Sequence, residues 1–177
     1  MIIGVSGYAQ SGKDTVAGML MGLHKYERVA FADKIRELLL AMDPFVYANE
    51  DYYRLEDVVE SFGWEVAKVR FPEVRRLLQD LGVGARESFG KDFWVKQALG
   101  QYKPTDNIVV TDVRFQNEAE FIKGFPGAKI WRVERPGVLA VNAHPSESQM
   151  DDWEFDEVIK NDGDLDSLKS QIKTLLG

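Results

Sequence analysis

The chain has 177 residues, 45% of them hydrophobic and 29% charged, which fits one soluble globular domain and excludes a disordered chain. With 22 Lys+Arg against 29 Asp+Glu the net charge is −7, which argues against a general nucleic-acid partner or a basic membrane-surface protein. No Cys and only 2 His exclude disulfides, thiolate nucleophiles and Cys or His zinc sites; no apolar run approaches the roughly 18 residues of a membrane span, and the start of the chain carries no signal-peptide pattern, so a cytoplasmic location is expected.

In chain order, Met1 to Ser6 is a short apolar run fit for a buried strand, and Thr15 to Leu23 reads as a helix. Arg28 to Ala32 is a second strand candidate, followed by Asp33 as an N-cap for an amphipathic helix over Lys34 to Met42 that stops before Pro44. Leu55 to Phe62, Glu73 to Leu81 and Phe93 to Leu99 read as helices with no strand between them. Asn107 to Thr111 is the clearest β-branched run; Asn117 to Lys123 reads as helix, Lys129 to Glu134 and Glu157 to Ile159 as strands. Asp164 is placed to cap a last helix through Leu176. Strands separated by helices predict an α/β fold with a mostly parallel five-stranded sheet covered on both faces.

Gly7-Tyr8-Ala9-Gln10-Ser11-Gly12-Lys13-Asp14-Thr15 stands between the first strand and the first helix, the context a G-x-x-x-x-G-K phosphate loop requires. Glycines let backbone N–H groups converge on phosphate oxygens, the helix N-terminus adds its unpaired donors, and Lys13 reaches the outer phosphates. Gly7, Ser11, Gly12, Lys13, Asp14 and Thr15 are therefore the candidate ATP-binding residues. Where such loops carry Ser or Thr after the lysine, this one has Asp14. Asp14 is open to ligating Mg²⁺ directly, acting through a water, orienting Thr15, or serving only as a first-turn acid that favours the helix dipole.

A second anchor is Val110-Thr111-Asp112-Val113-Arg114-Phe115. An acid at the end of an apolar parallel strand projects from the carboxyl edge of the sheet, where open α/β folds bind ligands. Asp112 is placed to hold a Mg²⁺ water shell, and Arg114 to grip a phosphate. The alternative for Asp112 is a plain turn cap.

Taken together, the Gly-Lys-Asp-Thr end of the loop, Phe31-Ala32-Asp33-Lys34, Leu78-Gln79-Asp80-Leu81-Gly82 with Arg86, Phe93-Trp94-Val95, Asp112 to Glu118 and Ile159 to Gly163 resemble the bacteriophage deoxynucleoside monophosphate kinases. Dephospho-coenzyme A kinase and phosphomevalonate kinase are looser relatives on the same P-loop scaffold. The resemblance implies one P-loop kinase domain over residues 1–177, with a monophosphate-binding insertion at about 44–103 and a lid at about 136–150. It implies γ-phosphoryl transfer from ATP, with Mg²⁺, to a deoxynucleoside monophosphate. Carried over, Phe31, Lys34, Arg70, Gln79, Arg86 and Trp94 line the acceptor site. Lys34, Arg70 and Arg86 would take the phosphate, and Gln79 and Trp94 the base. Arg114 would lie between donor and acceptor, with Asp112 beside it, and Arg132 or Arg135 would supply charge from the lid. A homodimer, and host cytoplasm for a phage-encoded chain, also follow from the resemblance.

Two rivals are weighed: a P-loop kinase of another small acceptor such as dephospho-coenzyme A, and a non-catalytic nucleotide-binding module. The Gln79–Arg86 spacing favours a nucleotide acceptor. Arginines on both sides of the donor loop favour catalysis, and no Asn/Thr-Lys-x-Asp guanine motif of a GTPase is present.

Overall fold

Every residue from Ile2 to Ser6 is buried, so the first strand can only be central to a sheet covered on both faces. The computed structural model describes residues 1–138 and 149–177. The elements are β1 (Ile2–Ser6), α1 (Lys13–His24), β2 (Glu27–Val29) and α2 (Phe31–Met42). Then come β3 (Phe45–Ala48), β4 (Asp51–Arg54), α3 (Leu55–Arg70), α4 (Pro72–Phe89) and α5 (Phe93–Leu99). The chain ends with β5 (Ile108–Val110), α6 (Gln116–Lys123), β6 (Lys129–Glu134), β7 (Glu157–Lys160) and α7 (Leu165–Leu176). Two compact units result: Met1–Phe31 with Ala98–Gly177, and Ala32–Gln97.

The first unit holds a five-stranded sheet in the order β2-β5-β1-β6-β7, with every neighbouring pair parallel. Alternation along the strands sorts its faces. Ile3, Val5, Val109, Trp131 and Val133 pack against Val16, Ala17 and Leu20 of α1 and Leu168 and Ile172 of α7. The opposite face is so close that a Cβ on Gly4 would stand 2.8 Å from Ile130 Cδ1 and 3.0 Å from Ile122 Cδ1 of α6. The carboxyl ends of β1, β5 and β6 therefore share one edge, and the chain leaves that edge through the Gly7 loop, Asp112 and Arg135.

The second unit packs Leu39, Val46, Leu55, Val58, Ala67, Phe71 and Val74 into its own core. β3 and β4 form an antiparallel hairpin whose turn residues Asn49 and Glu50 both have positive φ, the geometry of a two-residue primed turn. α3 is interrupted at Gly63 (φ 69°, ψ 161°), and α4 runs unbroken through Gly82 and Gly84.

Several expectations need correcting. The second strand ends at Val29, and α2 starts at Phe31 rather than after Asp33. Asp33 pairs with Arg36 at 3.2 Å, and the amide of Phe31 is taken by Asp112. The β3–β4 hairpin fills a stretch to which no element had been assigned, and α3 and α4 are longer than the runs that suggested them. The second unit spans Ala32–Gln97. The expected lid over 136–150 falls mostly outside the described residues.

Candidate active site

The phosphate loop is shaped by close approaches that exclude side chains. A Cβ on Gly7 (φ 143°) would stand 2.4 Å from Val133 O, and one on Gly12 (φ 105°) 2.4 Å from Asn161 Nδ2. No non-glycine residue fits either place without moving backbone or Asn161. Asn161 Nδ2 donates to Ser11 O at 2.9 Å, and its own N–H donates to Glu134 O at 2.7 Å, so the segment after β7 braces the loop. Gly12 is the N-cap of α1 and offers no side-chain cap, which leaves the amides of the first helical turn directed toward any anion in the loop. Lys13 Nζ donates to Gly7 O and Tyr8 O, each at 2.7 Å, holding the ammonium over the loop. Ser11 is 1% exposed and its Oγ has no hydrogen-bond partner among the described residues. Asp14 and Thr15 are exposed at the start of α1.

At the end of β5, Asp112 is half-buried and its Oδ1 accepts from Phe31 N at 2.9 Å. Arg114 is exposed, and its amide and that of Phe115 both donate to Glu118 Oε2, at 2.8 and 3.0 Å. Glu118 is buried and fixes the turn that presents Asp112 and Arg114; sequence reading had given it no part.

Beside the loop lies a cavity of about 390 Å³ whose lining includes Tyr8, Ser11, Arg132, Arg135, Lys160 and Asp162. The Arg132 guanidinium is enclosed, at 11% exposure, between the rings of Tyr8 (5.0 Å) and Phe155 (5.3 Å). It donates to Asp151 Oδ1 at 2.9 Å and Met150 O at 3.3 Å, and pairs with Glu134 at 3.4 Å. Tyr8 Oη donates to the same Asp151 oxygen at 2.8 Å. That bond, with burial, holds the Tyr8 phenol above its ordinary range. Arg132 was expected as a lid arginine; it lies in β6, its charge committed to a wall of this cavity, whereas Arg135 is exposed on the rim. Tyr8, Asp151 and Asn161 were given no role because their contacts join residues more than a hundred positions apart.

In the second unit, Gln79, Gly82 and Arg86 recur on one face of α4. Trp94 is 4% exposed and its indole N–H donates to Gly82 O at 2.9 Å, so the ring is packed against that face. Lys34 is half-buried and pairs with Glu37 at 2.7 Å. Arg70 was expected to share a phosphate with Arg86. Pro72, where α4 begins, stands about 21 Å of helix rise from Arg86.

Among the described residues no cluster of three or more His, Cys, Asp or Glu could hold a metal alone. Mg²⁺ characteristically keeps waters and binds through one or two carboxylates plus nucleotide phosphates, which Asp14, Thr15 and Asp112 suit.

A parallel sheet, a glycine loop closed by a lysine at a helix N-terminus, and an acid at the end of the adjacent strand define a P-loop nucleotide-binding protein. Residues 52–172 match the family model of deoxynucleotide monophosphate kinase. The chain belongs to the deoxynucleotide monophosphate kinase family. A mimivirus (Acanthamoeba polyphaga mimivirus) protein bearing that family name is 30% identical over 97% of this chain and 94% of its own length. The deoxynucleotide monophosphate kinase of Escherichia phage RB69 is 35% identical over 58% of this chain, and the match covers 44% of the phage protein. Among solved structures, shikimate kinase from Aquifex aeolicus aligns over 99% of this chain and 96% of its own with 12% identity and a TM-score of 0.49, too loose a likeness to bear on chemistry.

Proposed function

We propose that the chain transfers the γ-phosphoryl group of ATP to a deoxynucleoside or nucleoside monophosphate, giving the diphosphate and ADP. The observation that carries this is the braced loop from Gly7 to Lys13, whose uncapped helix end and Lys13 ammonium suit a triphosphate tail. Family membership supports the choice of acceptor.

Gly7, Ser11, Gly12, Lys13 and Thr15 hold the phosphates of ATP, and the cavity walled by Tyr8 and Arg132 takes its base. Mg²⁺, when bound with the nucleotide, neutralises phosphate charge; Asp14 and Asp112 would hold it, directly or through water. Lys34 and Arg86 take the acceptor phosphate and Gln79 its base. Gln79 and Arg86 lie about 10.5 Å apart along α4, a spacing that suits the length of a nucleoside monophosphate. Phe31 and Trp94 support that site, while Arg114 and Arg135 supply charge around the transferring group. An acceptor phosphate oxygen attacks the γ-phosphorus, the bond to the β–γ bridging oxygen breaks, and ADP leaves with that oxygen. The nucleophile is already anionic, so alignment and cations do the work and no general base is needed.

The test is ADP release over a panel of deoxynucleoside monophosphates, ribonucleoside monophosphates and dephospho-coenzyme A. Acceptor-dependent release with a nucleotide supports the reading; release only with dephospho-coenzyme A moves it to the rival kinase. A homodimer in the cytoplasm belongs to the same reading, and sedimentation velocity tests the first part.

A further inference from the structure

Lys34, Arg36, Arg54, Lys68 and Arg76 in the second unit are each ion-paired. Arg70 is different. Its guanidinium lies 4.9 Å from the centroid of the Phe62 ring, with no carboxylate of the described residues in ion-pairing range. On a straight helix those two residues would be about 12 Å apart along the axis. They meet because Gly63 breaks α3 with φ 69° and ψ 161°, a conformation essentially reserved for glycine.

Around this contact is a cavity of about 570 Å³, lined among others by Tyr53, Asp57, Ser61, Phe62, Arg70 and Phe71. Phe71 is its buried aromatic base, 5.8 Å from the Phe62 ring and 5.9 Å from the Tyr53 ring. Tyr53 and Phe62 are each 37% exposed. A space of this size with aromatic walls suits a planar ring, and Asp57, one turn before Ser61 on α3, adds an acceptor opposite in kind to the Arg70 donor.

We infer that this cavity is a second nucleotide site, distinct from the α4 face that carries Gln79 and Arg86, and that it takes a guanine nucleotide by its base. Guanine presents the acceptor pair O6 and N7, which a guanidinium matches, and the donor pair N1–H and N2–H, which a carboxylate matches. Thymine and uracil offer one ring N–H and no N7, and cytosine has neither N7 nor an adjacent donor pair. Arg70 and Asp57 cancel in charge, so the base is the group recognised and the phosphates stay in water. That the α4 face is the acceptor site rests on the proposed function; the cavity and its preference do not.

Equilibrium dialysis of the full chain with guanosine, without ATP, is the direct test. The expected result is saturable binding of guanosine but not thymidine, weakened at least tenfold by Asp57→Asn and by Phe62→Leu. Turnover of the fastest monophosphate should be unchanged in Asp57→Asn. Absence of guanosine binding, or binding indifferent to both substitutions, overturns the proposal. So does a raised KM for the acceptor in Asp57→Asn, which would make the cavity the acceptor's own base pocket. Failure of the kinase reading would show separately, as no turnover in the unsubstituted chain.

Discussion

Asp112 Oδ1 accepts a hydrogen bond from the backbone N–H of Phe31 at 2.9 Å, joining the end of β5 to the first residue of α2. The residue before α2 is Ala30, which has no side-chain acceptor, so a carboxylate 81 positions away does the capping. Asp112 thus caps α2 rather than the turn into the next helix, where Glu118 takes the amides of Arg114 and Phe115, and its proposed metal-linked role would be a second one.

That duality can be separated. Asp112→Asn keeps an oxygen for Phe31 and should change stability little, while losing at least tenfold in kcat through the missing charge. Asp112→Ala should lose both activity and about 1 kcal/mol of stability, as cap removals do. Urea denaturation and steady-state kinetics on the two variants check this; equal kcat in Asp112→Asn and the unsubstituted chain would leave only the cap.

Asn161 braces the phosphate loop through Ser11 O, and no acceptor contact is assigned to it. Asn161→Ala should therefore raise the KM for ATP several-fold and leave the acceptor KM unchanged. Gly12→Ala, which drives a Cβ to within 2.4 Å of Asn161 Nδ2 at positive φ, should abolish measurable ATP binding by calorimetry.

Lys13→Ala should lower turnover at least tenfold; loss of one preorganised donor in a water-excluded site costs about 3–4 kcal/mol of transition-state stabilisation. Arg86→Ala should act mainly on the acceptor KM. Acceptor kinetics unchanged in Arg86→Ala would remove α4 from the acceptor site.

Asp156 carries an acid-stability prediction. Burial pushes its carboxyl up, but the Lys123 ammonium at 2.7 Å and the Ile130 N–H at 2.6 Å outweigh burial and hold it below its usual value. A depressed folded pKa stabilises the fold above the unfolded value, near 3.8, and that contribution is lost as pH falls through the folded value. Asp156→Asn should therefore cost about 1–3 kcal/mol near neutral pH and progressively less below about pH 4, as followed by urea midpoints across pH.

How far the sequence could be read depended on the range of the interactions. The G-x-x-x-x-G-K spacing, the strand Lys129–Glu134 and the Asp164 cap, whose Oδ1 accepts from Ser167 N at 2.8 Å, are written in neighbours a few positions apart, whereas the bracing of the loop by Val133 and Asn161 is not. The β3–β4 hairpin was hidden because Asn49-Glu50 lacks the glycine that usually marks such a turn. The helix expected over Glu73 to Leu81 continues to Phe89, because the apolar face that packs it in the second unit runs past Gly82 and Gly84 to the buried Ala85. Arg132 was legible as a cation, but its enclosure by Tyr8, Phe155 and Asp151 is a product of tertiary packing that no local spacing encodes.

The most direct test of the account is to follow label from γ-labelled ATP in the presence of the purified chain, Mg²⁺ and each deoxynucleoside monophosphate. The account predicts label in a deoxynucleoside diphosphate, in amounts equal to the ADP formed and dependent on Lys13. Label found only in inorganic phosphate, or retained in ATP with every monophosphate, would contradict it.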